Sequence, residues 1–205
     1  MLRKMLALAL LLSATTYLDA ESGSIGSVLA HGEIRVDGYA VKGSGTAFDG
    51  TVVEIGSDAQ SGADLLLVNG TRITLHSNSH GTLFRDHFVL DRGEAEMSAP
   101  ALPYRIEVDA LVVRTTGSNS SARIAIGAEH TIGVFAKGGQ VEVAGDRGNV
   151  LTLVGPQIPR SFSRDADGHW HVSGSPAHGF NTSGQGDNGK GVDGNNGHHH
   201  PHPSH

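Results

Sequence analysis

The chain has 205 residues, a formal net charge of −6 and no cysteine. The absence of cysteine excludes disulfide stapling, and acidic and basic residues mixed along the chain leave no basic stripe of the kind a nucleic-acid partner requires. The roughly 140 residues between Ser27 and Val172 are enough to bury about two-thirds of their unfolded surface around an apolar core, so one domain is the economical count.

The N-terminus carries Arg3 and Lys4 followed by an unbroken apolar run from Met5 to Leu12. A short basic segment before a short apolar one is the pattern of a secretory signal, here read as residues 1–20 with cleavage after Ala20. The alternative is an uncleaved anchor, but the run falls short of the roughly 18–20 apolar residues that a membrane-spanning helix needs. The expected location is periplasmic or secreted, with no transmembrane segment unless the signal is retained.

From residue 27 to 172 the apolar period is close to two, which places alternate side chains on opposite faces of a sheet. Asp37-Gly38, Asn69-Gly70, Arg92-Gly93, Gly138-Gly139 and Asp167-Gly168 punctuate these runs. Such dipeptides supply the positive φ angles of tight hairpin turns, so each is read as a two-residue turn in a meander. In chain order, strands are predicted over 32–36, 39–41, 51–55, 65–68, 72–76, 82–84, 87–90, 94–97, 104–110, 111–114, 123–126, 131–136, 140–144, 149–154 and 169–172, with almost no helix. Tyr104 to Ala110 alternates most clearly, and Ile73 and Leu75 are expected to point inward. The three neighbours Leu65-Leu66-Leu67 suggest a strand covered on both faces. The predicted class is all-β: antiparallel strands in a sandwich or roll built from successive short hairpins, two packed sheets being favoured over one open sheet.

After Val172 the composition changes to glycine, asparagine, serine and histidine with almost no aliphatic side chains. Residues 173–205 are therefore expected to form a disordered tail, because they cannot bury enough apolar surface to offset their conformational entropy.

With the strands in place, several stretches resemble the periplasmic domain of FecR-type proteins. They are Gly32-Glu33-Ile34-Arg35-Val36, the hairpin Leu65-Leu66-Leu67-Val68-Asn69-Gly70-Thr71-Arg72-Ile73-Thr74-Leu75, Leu90-Asp91-Arg92-Gly93-Glu94-Ala95-Glu96, and Gly138-Gly139-Gln140-Val141-Glu142-Val143 leading to Leu153-Val154-Gly155-Pro156-Gln157. The resemblance covers about 125 residues and implies an all-β bacterial envelope domain that binds, senses or scaffolds, with no catalytic residues to carry over. Signalling members of that family resemble a chain in which an anti-sigma segment and a membrane helix precede the domain. Here an export signal stands directly before it, so a direct handoff to a sigma factor is not expected.

The sharpest chemical feature is the cluster His198, His199, His200, His202 and His205 in the tail. Neutral imidazoles bind zinc, nickel and copper ions, and a flexible cluster can close on an ion without a preformed cavity. The bland reading is a solvated low-complexity end, and no cofactor is otherwise expected. His76, His80 and His87 lie close in sequence but are read as separate surface histidines. His169 and His171 flank Trp170 and would share one strand face, a geometry that chelates only with a third ligand; the expectation is Trp170 packed at the core edge with both histidines exposed. Asp165-Ala166-Asp167-Gly168 looks like part of a calcium loop, but Gly174 stands where that loop needs its final glutamate, so it is read as a hairpin turn. Asp86, Asp91, Glu94 and Glu96 are read as an ordinary charged sheet surface rather than acid/base pairs. Lys42-Gly43-Ser44-Gly45-Thr46 lacks the terminal Gly-Lys-Ser/Thr of a phosphate loop and is read as a connection between strands.

The leading expectation is an exported, non-enzymatic binding module whose partner is an envelope protein or polymer. A metal-binding protein using the histidine tail is the alternative. An enzyme acting on polysaccharide is a third reading, and it would need two carboxylates facing one cleft.

Overall fold

The computed structural model describes residues 23–98 and 104–174; the signal segment and the histidine cluster lie outside them. In chain order the strands are β1 (Gly26–His31), β2 (Ile34–Val36), β3 (Tyr39–Val41), β4 (Ser44–Ala47), β5 (Thr51–Ile55), β6 (Gly62–Leu67), β7 (Arg72–Leu75), β8 (His80–Leu83) and β9 (His87–Arg92). They continue as β10 (Glu94–Ser98), β11 (Arg105–Val108), β12 (Leu111–Thr115), β13 (Ser121–Ile126), β14 (Ile132–Gly138), β15 (Val141–Gly145), β16 (Val150–Val154), β17 (Arg160–Arg164) and β18 (Trp170–Ser173). A single 3-10 turn, Ala128–His130, interrupts them. The protein is all-β, as its alternating pattern predicts.

Two nine-stranded sheets face each other. The first runs β18-β17-β14-β13-β10-β7-β6-β1-β4 and the second β16-β15-β12-β11-β9-β8-β5-β2-β3. Inward side chains from both sheets, among them Val28, Val53, Leu65, Ile73, Leu83, Phe88, Ile106, Ile124, Val143 and Phe162, form one continuous core with almost no solvent contact. Period-two patterning is sufficient to build it, because each strand offers one apolar face to the opposite sheet. Tyr104, Ile106 and Val108 point inward and Arg105 and Glu107 outward, as their alternation requires.

The leucine triplet corrects one expectation. Leu65 and Leu67 are buried, but Leu66 is 48% exposed on the outer face. β6 is covered on one side only, so the two-layer architecture comes from the alternation of the other strands and not from a doubly buried one.

The glycine turns divide into three kinds. Asp37-Gly38 is a two-residue turn: Val36 pairs with Tyr39, and φ is +51° at Asp37 and +81° at Gly38. This is the geometry that matches the twist of a hairpin. At Asn69-Gly70 and Asp167-Gly168 the turn is longer, and the glycine closes it by donating its N–H to the carbonyl of Leu67 or Asp165.

Arg92-Gly93 and Gly138-Gly139 are not hairpins at all. At both, and at Gly32, the chain leaves one sheet and enters the other. Gly32, Gly93 and Gly139 have φ of +78°, +82° and +61°, and a Cβ there would stand 2.7, 2.5 and 2.2 Å from the hydroxyl oxygens of Ser61, Ser79 and Ser120. These serines are buried. Two of them satisfy backbone groups that leave the ladder at the corner: Glu33 N–H donates to Ser61 Oγ at 3.1 Å and Glu94 N–H to Ser79 Oγ at 2.9 Å. A buried amide without such a partner would be costly, which is why a polar residue sits inside an apolar fold. Each serine immediately precedes a strand (β6, β8 and β13) that also starts from a sheet-to-sheet corner, so the crossings stack in pairs.

Sheet switching also explains the parallel pairing of two strands within the second sheet. Because β10 lies in the first sheet, the chain returns to the second to place β11 beside β9 in parallel. Lys42-Gly43 links β3 to β4 as a connection, but Ser44-Gly45-Thr46, read as part of that connection, belongs to β4.

Candidate functional site

The histidines at 76, 80 and 87 do not converge. His76 follows β7 on the first sheet, whereas His80 and His87 begin β8 and β9 on the second. His80 Nδ1 meets Asp91 at 2.9 Å, and His87 Nδ1 meets Asp86 at 2.8 Å while its ring stacks on Phe84.

His76 instead faces the outward side chains of β10. Its Nε2 lies 3.2 Å from Glu94 Oε1 and 3.6 Å from Glu96 Oε1, as charge contacts rather than aligned hydrogen bonds. Arg123 of β13 donates to both Glu94 oxygens at 2.7 and 2.8 Å, and Lys137 of β14 reaches Glu96 at 2.7 Å. Contact with His76 first, and with Lys137 next, holds the Glu96 carboxyl down at about 2. Glu96 and then Glu94 push the His76 imidazole up, against the opposing effect of its partial burial. Three ligand-type side chains meet here, but a bidentate guanidinium and an ammonium already neutralise the carboxylates. The carboxylates lie on two sheets, Asp86 and Asp91 at β9 of the second and Glu94 and Glu96 on β10 of the first, and each is paired with a histidine, arginine or lysine.

Glu33 and Glu54 border one cleft of 220 Å³ together with Arg35 and Arg92. Of the two carboxylates, Glu54 is engaged by Arg92 at 2.8 Å.

The β17–β18 hairpin brings together residues that the sequence separates into two unrelated features. Arg164 pairs with Trp170 and Ser163 with His171. Trp170 packs against the core edge with Arg164 over its ring at 5.7 Å, and both flanking histidines are exposed, as expected. Asp165 opens the turn and accepts the N–H groups of Asp167 and His169 at 3.0 and 2.8 Å. Its other oxygen meets His171 Nε2 at 3.0 Å. Asp165 is the third group the two histidines lack. It is legible only when the turn and the strand after it are read as one hairpin.

The feature that strand periodicity does not reveal is an edge that no other strand covers among the described residues. Four strands lie at sheet edges: β3 and β4 at one end of the sandwich, β16 and β18 at the other. β16 reads Val150-Leu151-Thr152-Leu153-Val154, with no charge and no proline. Val150 and Leu153 are 55% and 52% exposed, and Ile158 just beyond is 53% exposed. Edge strands are ordinarily shortened, charged or covered, because their unpaired N–H and C=O groups invite another strand. β16 has a bulge at Leu151 but is regular from Thr152 to Val154.

The fold and these surfaces define an all-β, two-sheet domain with several surface ion pairs and an uncharged, partly exposed edge strand. No family model and no curated protein matches the chain. Among solved structures it is similar to a candidate anti-sigma factor from Parabacteroides distasonis, at 18% identity and a TM-score of 0.47, over 62% of this chain and 61% of that one.

Proposed function

We propose that this chain is an exported, non-enzymatic protein of the bacterial envelope. Its sandwich binds an extended segment of an envelope protein, which lies alongside β16 and continues the second sheet. The observation that carries this reading is the β16 edge: five residues without charge or proline, with Val150 and Leu153 half exposed. Strand addition supplies affinity through main-chain hydrogen bonds and specificity through alternate side chains, and pairing is expected beyond the bulge, along Thr152–Val154.

The resemblance to FecR-type periplasmic domains supports the same reading. Three of its stretches, beginning at Gly32, around Gly93 and at Gly138, coincide with the glycine corners that move the chain between sheets. The basic and apolar segment from Arg3 to Leu12 supports export.

The test is crosslinking in living cells followed by affinity capture of the full-length chain and of its Leu153→Arg variant. A discrete envelope protein captured by the unaltered chain and lost from the variant is the expected result. Equal capture by both would remove β16 as the contact.

A further inference from the structure

We propose that the tip of the β17–β18 hairpin is a binding site for a divalent first-row transition-metal ion, with Asp165, His169 and His171 as ligands and Asp167 beside them. The inference is independent of the strand-addition reading, since it concerns the first sheet and needs no protein partner.

The geometry begins with strand alternation. His169 and His171 are two residues apart and share one face, while Trp170 between them turns toward the core. Asp165 lies across the turn from both. One of its oxygens is 3.0 Å from His171 Nε2, and the other is 3.7 Å from His169 Nδ1. The ligand atoms of Asp165, Asp167 and His169 all lie within 4.8 Å of one another. Two donors bound to one ion at about 2.0–2.1 Å each stand roughly 3.0–3.5 Å apart in tetrahedral or octahedral geometry. Asp165 therefore stands near the liganded spacing from each histidine separately, and bringing His169 and His171 onto one ion requires rotation of their exposed imidazoles.

The electrostatics distinguish this cluster from the one at His76. There an ion would have to displace Arg123 and Lys137 from the glutamates. At the hairpin, among the described residues, the ion-pair partners of Asp165 are His169 and His171, both of which can bind as neutral imidazoles. Arg164, the nearest cation in sequence, is directed elsewhere: it lies over Trp170 and donates to the Gly168 carbonyl at 3.0 Å. Two imidazoles with carboxylates suit zinc, nickel or copper(II), whereas calcium and magnesium prefer all-oxygen sites.

Trp170 is the chain's single tryptophan and lies between the two histidine ligands, so its fluorescence reports on this site. The experiment titrates copper(II) chloride into three full-length proteins in a non-coordinating buffer. One is the unaltered chain, the second carries His169→Gln with His171→Gln, and the third carries glutamine at His198, His199, His200, His202 and His205. The expected result is saturable quenching with one ion per chain in the first and third proteins, and a midpoint at least tenfold higher in the second, with circular dichroism unchanged. No saturable quenching in the unaltered chain, an unshifted midpoint in the hairpin variant, or loss of quenching with the tail histidines would each overturn the proposal. Should the hairpin variant misfold, zinc titration of the unaltered chain followed by histidine ring NMR decides. Shifts at His169 and His171 that precede any at His76, His80 or His87 support the site, and shifts that spare the hairpin pair refute it.

Discussion

The two ends of the sandwich solve the same edge problem in opposite ways. At one end the terminal strands are β3 and β4, three and four residues long. β3 is joined to its neighbour by a two-residue turn, and β4 buries little beyond Ala47. Both offer a partner little backbone, and Tyr39 is the large apolar side chain that β3 exposes. At the other end β16 is longer, uncharged and half exposed at Val150 and Leu153, and β18 presents His171 and Val172. One end is blunted, the other open. An end left apolar and unblunted presents backbone groups with which another strand can pair.

The largest effect is expected at the β16–β18 end. Phe162 is the large buried side chain of β17 and anchors the outer hairpin to the core. Phe162→Ala is expected to cost about 3–5 kcal/mol, with hydrogen exchange rising first over β17 and β18. Denaturant unfolding followed by exchange mass spectrometry checks both, and protection lost evenly over all strands would count against a locally held end.

Glycine replacements sharpen the contrast between the stacked corners and the blunted end. Gly93→Ala combines a φ of +82° with a Cβ placed 2.6 Å from the Ser79 Cα, and should cost about 2–3 kcal/mol. Gly38→Ala has nearly the same φ, +81°, but open space around it, and should cost about 1 kcal/mol. Thermal melts of the two variants measure the difference. Equal losses would show that backbone conformation alone, and not the packed serine, requires glycine at the corner.

The smallest effect belongs to the charged outer face between the ends. The His76 imidazole is raised above its ordinary 6.5, so its stabilising contribution is full below that value and fades as pH rises through the folded one. Glu96 is depressed from 4.5 to about 2, so its contribution is present above 4.5 and is lost as pH falls toward 2. The pair is strongest between those limits. His76→Gln should cost at most about 1 kcal/mol near pH 5.5 and less near pH 8.5, because the histidine is partly exposed and screened by solvent. A loss that grows with pH would contradict the assignment.

A different asymmetry, between the two sheets, governs what the sequence makes legible. Every strand of the second sheet is predicted from periodicity, including the edges β3 and β16. The three strands that escape it, β1, β4 and β17, all belong to the first sheet. Gly26–His31 buries Val28 but leaves Leu29 46% exposed, Ser44–Ala47 has no large apolar side chain, and Arg160–Arg164 offers one phenylalanine among polar neighbours. Their places are set by pairing with neighbours, which a period of two in a single segment does not encode. Glycines are legible as turns but not as sheet crossings, because hairpin turn and corner need the same positive φ. The serine that distinguishes them stands far away in sequence. The hairpin cluster shows the same limit: its histidine pair and its Asp-Ala-Asp-Gly turn are each visible, yet their union depends on the Ser163–His171 register.

Binding at the β16 end is checked by placing a photo-crosslinking amino acid at Leu153 and, in a second protein, at Tyr39, which is 78% exposed at the opposite end. After irradiation in living cells, the account predicts one discrete crosslinked envelope protein from position 153 and none from position 39. The same adduct from both positions, or from position 39 alone, would contradict it.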